Sequence, residues 1–390
     1  MGLSAAEQYG IELVNRARLD PVAEAKRYGI SLNEGLPAGT IGAAQKQVLS
    51  PNQALQISAE KHSAWMFSKD IFSHTGINGT DPGERMARAG YGPMNSFAWG
   101  ENLAFQPGMS GAAAVAAEHR LLMLSEGHRE TIMRGHYTEI GYGNLNGSYN
   151  GNSGSMVTEN FATKGGIFLT GVAYSDRNDN NFYNVGEGQK DVRFAEAGGN
   201  DRLTAGAGGY GMQVGRDDSM TINIASNGAV GSVRLIDVKV NVKLDLVDRD
   251  TIFVSISADL VSGIKNARLL GINNTSLSGT DSANMLIGNK GRNSLDGEGG
   301  NDRLVGGAGA DRFEFHASGD HDRIGDFSKG QGDRLAIDSK LFGADMSPQD
   351  VVRQYAKVIQ GNVVFDFGSD TLTLVGVNST SGLADLITIL

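Results

Sequence analysis

Asp302 and Asp311 stand nine residues apart near the end of a 390-residue chain, and Asn284 and Asn293 hold the same phase before them. The four segments that carry them read GTDSANMLI, GNKGRNSLD, GEGGNDRLV and GGAGADRFE, starting at Gly279, Gly288, Gly297 and Gly306. Leu286, Leu295, Leu304 and Phe313 share a second phase. Carboxylate and carbonyl oxygens are the donors that a hard cation such as Ca²⁺ selects. The glycine-rich half of each unit is expected to turn through positive φ, and the x-hydrophobic-x triplet to form a short strand with its apolar side chain inward. Stacked units then make a parallel β-roll. Asn293, Gly297, Gly300, Asp302, Gly306, Gly309 and Asp311 are the expected ligands, and without the ion the acidic loops repel, so folding should depend on calcium. Thr280, Ser282, Asn289 and Glu298 depart from the glycine pattern, which places the firmest site between the turns carrying Asp302 and Asp311.

A second oxygen-rich pattern begins at Asp176. Asp176, Asn178 and Asn180 supply side-chain oxygens at positions one, three and five of a twelve-position calcium loop; Phe182 gives a carbonyl, Asn184 an oxygen at nine and Glu187 a carboxylate at twelve. Asn181 occupies position six, where glycine is usual, and Asn tolerates the left-handed conformation better than most residues. The loop follows the strand-like GVAY rather than a helix. That context points to a calcium-clipped β-sandwich, similar to repeat domains of Gram-positive surface adhesins.

The elements that would position these groups change texture along the chain. Helices are expected over 4–29 with a restart at Pro21, over 52–72 from a Ser-Pro start, over 81–90 with Pro82 in the first turn, and over 110–125. Strands are expected at 139–144 and 156–163, giving helices on a small sheet. From Gly166 onward short alternating strands follow, among them IFLTGVAY, VKVNVKLDLV and TIFVSISADLV. The fold expected is multidomain α+β with four parts: 1–165, an all-β sandwich at 166–255, the β-roll at 256–345 and a C-terminal region at 346–390.

Composition narrows the function. The formal charge of −10 argues against nucleic acid as a partner and suits a protein that gathers cations. There is no cysteine, so disulfides and thiolate chemistry are excluded. No apolar run approaches the roughly 20 residues of a membrane span, and MGLSAAEQYG lacks the basic and apolar regions of a cleavable signal.

Two family resemblances add to this reading. The nonapeptides resemble the RTX (repeats-in-toxin) family, whose members leave Gram-negative bacteria through the type I secretion apparatus and fold outside in calcium. The terminal GLADLITIL is similar to the uncleaved export signals of that family. Separately, NRARLDP, FSHTG, GENLA, SEGHRETIM, YTEIGYG and TENFA, in that order, resemble the cysteine-free bacterial branch of the CAP superfamily over about residues 5–165. That resemblance implies an α-β-α sandwich with a cleft lined by two histidines and two acidic residues. The carry-over assigns His74, Glu101 and His128, with Glu126 as the fourth member and Ser125 and Glu118 as neighbouring alternatives. Two imidazoles and carboxylates can hold Zn²⁺ or another divalent metal, or pair as acid and base. His62, His119 and His136 are expected to be structural or exposed.

Three functions follow. One is a secreted, extracellular, calcium-stabilised CAP-domain protein whose cleft binds a lipid, peptide or glycan, or a divalent metal, without turnover. The second is a secreted hydrolase using the same residues, and the third a calcium-dependent surface adhesion or matrix protein.

Overall fold

A computed structural model describes residues 2–318, 320–343 and 346–390. The chain is mixed α and β with several sheets, and contacts group it into two compact units, residues 1–216 with 239–248, and residues 217–238 with 249–390. The expected boundary at 345 lies outside the described residues.

In the first unit the helix Ala5–Leu19 opens with a capping box, Ser4 Oγ accepting from Glu7 N while the Glu7 carboxylate accepts from Ser4 N. Asp20 caps the restarted helix Pro21–Arg27. Ser50 and Pro51, expected to start a helix, instead pair in parallel with Glu139 and Ile140, and the Asn52 side chain caps Gln53–Lys69. The cap wins because its carboxamide reaches two free N–H groups of the first turn. Pro82–Arg88 and Gly111–Leu124 form as expected. The helix Glu126–Met133 follows the latter after a break at Ser125, whose backbone is extended.

A four-stranded sheet runs in the order Ser50–Pro51, Glu139–Tyr149, Asn152–Thr163, Ala98–Pro107. Successive residues of its second strand serve opposite neighbours. A Cβ on Gly141 or Gly143 would strike the backbone of Gln53–Lys69 at 2.1 and 2.3 Å, while Tyr142 between them fills the space over Gly10 of Ala5–Leu19. The core of Ile11, Val14, Val115, Leu122, Ile132, Val157 and Phe161 packs on the Tyr142 side.

The same unit continues through Ile167–Tyr174, antiparallel to Gly209–Val214 and parallel to Val242–Val247. VKVNVKLDLV is therefore not one strand: it breaks between Val238 and Val242, where Asn241 turns inward and donates to Val48 O at 2.9 Å and Thr138 O at 2.7 Å. Buried Lys243 sits 2.6 Å from Glu12 Oε2 and 2.7 Å from Asp245 Oδ1, tying this strand to the first helix. These anchors are why the contacts divide the chain elsewhere than at the change of texture near residue 166.

The second unit begins with the antiparallel pair Asp217–Ser226 and Ala229–Val238 and proceeds as two parallel ladders. One stacks Thr251–Val254, Asn266–Leu269, Met285–Ile287, Arg303–Val305, His321–Ile324 and Thr371–Leu374. The other stacks Ala258–Ser262, Ser276–Thr280, Ser294–Glu298, Arg312–Phe315, Arg334–Ile337 and Ile387–Ile389. Leu286, Leu295, Leu304 and Phe313 are buried, so the second phase of the repeat points inward.

Candidate functional site

The cleft is assembled on the strand Ala98–Pro107. Antiparallel register sets Glu101 opposite Asn160, and the Asn160 amide, turned to satisfy its neighbours, donates to Glu101 Oε2 at 3.2 Å. Glu101 has 1% side-chain exposure, yet it is fully partnered. Arg85 Nη2 donates to Oε2 at 2.6 Å and His74 Nδ1 meets Oε1 at 2.9 Å. Arg85 also fixes the backbone of the histidine, donating through Nη1 to His74 O at 2.8 Å and Thr80 O at 2.9 Å. Its own position comes from the helix Pro82–Arg88, started by the Asp81 capping box. His74 itself is 54% exposed, so the imidazole opens to solvent above a buried ion pair.

His128 lies near enough for the His74 charge to act on it: burial first, and then His74, lowers its pKa. Its backbone is held by Asn102, which donates to His128 O at 3.2 Å and to Glu159 Oε2 at 3.0 Å. Glu126 does not join the group. It is exposed, its carboxylate lies over Gly35, and among the described residues no hydrogen bond or ion pair links it to either histidine. The helix Glu126–Met133 explains this, since residues two apart on a helix do not face the same way. Glu118 is likewise elsewhere, buried and accepting from Asn144 Nδ2 at 2.8 Å.

Sequence reasoning missed two members. Arg85 gave no signal beyond a basic residue in a helix. His62 was read as structural, but its Nε2 lies 4.0 Å from Glu101 Oε1 while donating to Ser73 O at 2.9 Å, and its ring stacks on Trp65 at 5.6 Å. Burial lowers its pKa to about 4, opposed by Glu101 and reinforced by Arg85, so the ring is neutral at pH 7. Its Nδ1 is buried with no hydrogen-bond partner among the described residues. His62, Trp65, Ile77, Thr80 and Arg85 line a largely apolar cavity of about 190 Å³. Spacing would have shown His62 only as one turn before Trp65 and Met66 on a long helix.

The repeat residues are placed differently from the expected pairing. Each nonapeptide supplies half a turn, so consecutive units fall in opposite ladders and like positions meet two units on. Asp302 Oδ1 accepts from Asn284 N and Asp311 Oδ1 from Asn293 N, eighteen residues back in each case. A site between the turns of Asp302 and Asp311 is thus corrected to one stack through Asn284, Asp302 and Asp322 and another through Asn293, Asp311 and Asp333. Asp322 and Asp333 were missed because the spacing stretches there to twenty and twenty-two residues.

The glycines also act differently from expectation. Gly300 and Gly309 do take positive φ, but at Gly297 and Gly306 the requirement is space: a Cβ would meet Asp302 Oδ2 at 2.1 Å or Asp311 Oδ2 at 2.4 Å. Glu298 holds φ 65°, the conformation that Gly307 takes in the next unit.

Calcium fits these stacks. The Oδ2 atoms of Asp302 and Asp311 are buried and lack a hydrogen-bond partner among the described residues. Burial, and then neighbouring carboxylates, raise Asp302 to about 7, Asp311 to about 6 and Asp322 to about 7. Clustered carboxylates with bare oxygens are what an oxygen-seeking divalent cation stabilises. In the loop 176–187, the two ends close as Asp176 accepts from Asn180 N and Asn181 N while Glu187 accepts from Arg177 N and Asn184 N. Asn181 takes the left-handed conformation at φ 57°. Asn178 Oδ1 accepts from Asn180 N, and Phe182 O accepts from Asn184 Nδ2.

Comparison with known proteins agrees with both halves. The family model of the cysteine-rich secretory protein family (CAP) matches residues 11–162, and that of the RTX calcium-binding nonapeptide repeat matches 278–313 in four copies. The chain carries a CAP domain and RTX repeats. Similar solved structures include an extracellular protein containing an SCP domain from Bacillus anthracis, at 28% identity, covering 30% of this chain and 35% of that one, with a TM-score of 0.24. An outer surface protein from Borrelia burgdorferi matches at 19% identity over 30% of this chain and 78% of its own, with a TM-score of 0.24. An extracellular lipase from Serratia marcescens matches at 19% identity over 44% and 29%, with a TM-score of 0.22. The chain thus spans about a third of the first of these structures. No curated protein matches it. The His74, Glu101, Arg85 and His62 group lies within the stretch matched as CAP, and Asp302 and Asp311 lie within the matched RTX repeats. No described helix is long and apolar enough to cross a membrane.

Proposed function

We propose that this chain is a secreted, calcium-stabilised CAP-domain protein, exported by the type I route and working outside the cell, whose cleft captures a ligand or a divalent metal. The observation that carries the cleft reading is the buried Glu101 clamped between Arg85 and an exposed His74, beside the apolar cavity and the bare Nδ1 of His62. A carboxylate so fully partnered is suited to holding an imidazole for a guest rather than to accepting and returning protons. The guest is a small lipid, peptide or glycan group, or a cation at His74 and His128. In this reading the repeats form a β-roll, residues 166–255 form a β-sandwich clipped by the 176–187 loop, and 346–390 carry the export signal.

Native mass spectrometry of the calcium-loaded full chain tests the capture. Co-purified small molecules, or added Zn²⁺, should be retained by the wild type and lost in the His74→Ala, His128→Ala double variant. Equal retention in both would overturn it. Export is tested by deleting residues 346–390, which should leave the protein inside the producing cell.

One observation favours a second reading, hydrolysis: His62 is neutral at pH 7 and its Nδ1 is unpartnered among the described residues, while its other nitrogen, Nε2, lies 4.0 Å from Glu101. Peptide or ester turnover that survives purification and disappears in the same double variant would select it.

A further inference from the structure

The ladder of Ser294–Glu298, Arg312–Phe315 and Arg334–Ile337 has a second face, turned away from Leu295, Phe313 and Phe315. Parallel register places Asp296 directly beside Glu314 on that face. His316 follows the second strand, and its Nε2 lies 3.1 Å from Asp296 Oδ2 and 4.0 Å from Glu314 Oε2. Among the described residues this is the one trio of histidine, aspartate or glutamate donors whose ligand atoms all lie within 4.8 Å of one another. The CAP cleft does not close to that spacing.

We infer that Asp296, Glu314 and His316 form a site for a borderline divalent cation such as Zn²⁺ or Co²⁺, separate from both the cleft and the calcium stacks. The donor set decides the class. An imidazole with two carboxylates suits Zn²⁺ or Co²⁺, whereas the stacks offer oxygen alone and suit Ca²⁺. Ligands bound at about 2.0 to 2.2 Å in a tetrahedral shell lie roughly 3.3 to 3.6 Å apart, so side-chain rotation without strand movement closes the trio.

A second, independent observation points the same way. The other ring nitrogen, His316 Nδ1, faces Asp338 Oδ2 at 4.0 Å. That is beyond hydrogen-bond reach, but a carboxylate on that side is the partner that orients a metal-bound histidine once its ring turns toward the ion. Glu314 is oriented too: its remaining oxygen, Oε1, accepts from Ser294 Oγ at 3.1 Å and from Arg312 Nε at 3.0 Å, leaving Oε2 toward His316. Each ligand is partly exposed, with side-chain exposures of 18, 23 and 33%, so a hydrated ion has access and water can complete the shell. The ion would clip two neighbouring turns from outside.

The test is Co²⁺ titration of the full chain held in saturating Ca²⁺, read by the visible absorption of the bound ion and by thermal melting. Wild type should bind an equivalent that survives in the His74→Ala, His128→Ala variant, is lost in His316→Ala, and is weakened at least tenfold in Asp296→Asn; Zn²⁺ should displace it and raise the melting temperature. Circular dichroism in Ca²⁺ checks that each variant keeps its strands, and Glu314→Gln replaces His316→Ala if the latter does not. No Co²⁺ band, or a band unchanged by His316→Ala and Glu314→Gln, would reduce the trio to a surface ion-pair cluster. A band lost only with His74 and His128 would assign the metal to the cleft and overturn the inference while leaving the proposed capture intact.

Discussion

Arg85 joins Glu101 to the carbonyl of His74, so its loss acts twice. Arg85→Ala should leave the buried Glu101 carboxylate with His74 and the Asn160 amide but without its permanent cation, and cost about 3 to 5 kcal/mol in denaturant unfolding, with Arg85→Lys partly restoring it. In the repeats, Gly297→Ala must push Asp302 aside; chemical denaturation in Ca²⁺ should show a loss of about 1 to 3 kcal/mol together with a raised calcium midpoint. The pH response rests on Glu118 and Glu159, each pushed up to about 8, chiefly by burial. Because their folded values lie above the usual 4.5, the stability they contribute is present at low pH and is lost as pH rises toward 8. Melting temperature in Ca²⁺ should therefore fall between about pH 5 and pH 8 and level off above, and the Glu118→Gln, Glu159→Gln double variant should flatten that slope. At this scale the sequence showed only part. His74, Glu101 and His128 could be placed because each lies in a short run of fixed neighbours, whereas His62 and Arg85 reach Glu101 from separate helices across folds of chain that no spacing reports. Glu126 misled because adjacency to His128 in sequence is not adjacency on a helix.

Elements were legible where a period ran long. The nonapeptide phases showed which residues face inward and Pro82 marked the first turn of its helix, whereas the Ser-Pro pair before Asn52 hid the true cap. The strand Ala98–Pro107 was not legible, since GENLA lacks a clean alternation and earns its place only by pairing along its whole length with Asn152–Thr163. The eighteen-residue stacking was hidden by the nine-residue count, which suggests neighbours where the structure makes opposites. Calcium removal is the prediction proper to these elements. Chelation should strip the parallel ladders of strand signal in circular dichroism and leave the helical signal of residues 1–165 largely in place; equal loss of both, or of neither, would contradict it.

At the scale of the molecule, the first compact unit is discontinuous, closing only when Asn241 and Lys243 return to it. A fragment ending at Arg216 would leave Glu12 buried without its ammonium, and should melt well below a fragment ending at Asp248, with about 3 to 5 kcal/mol at stake. Differential scanning fluorimetry of the two fragments checks this.

The ladders also carry a direction in time. Each backbone N–H at Asn284, Asn293, Asp302 and Asp311 finds its acceptor on an aspartate eighteen to twenty-two positions further along. While a ribosome is still making it, no turn can be finished by what precedes it, because the group that completes it has yet to emerge. Each of these turns therefore waits for the next eighteen to twenty-two residues before its N–H is met.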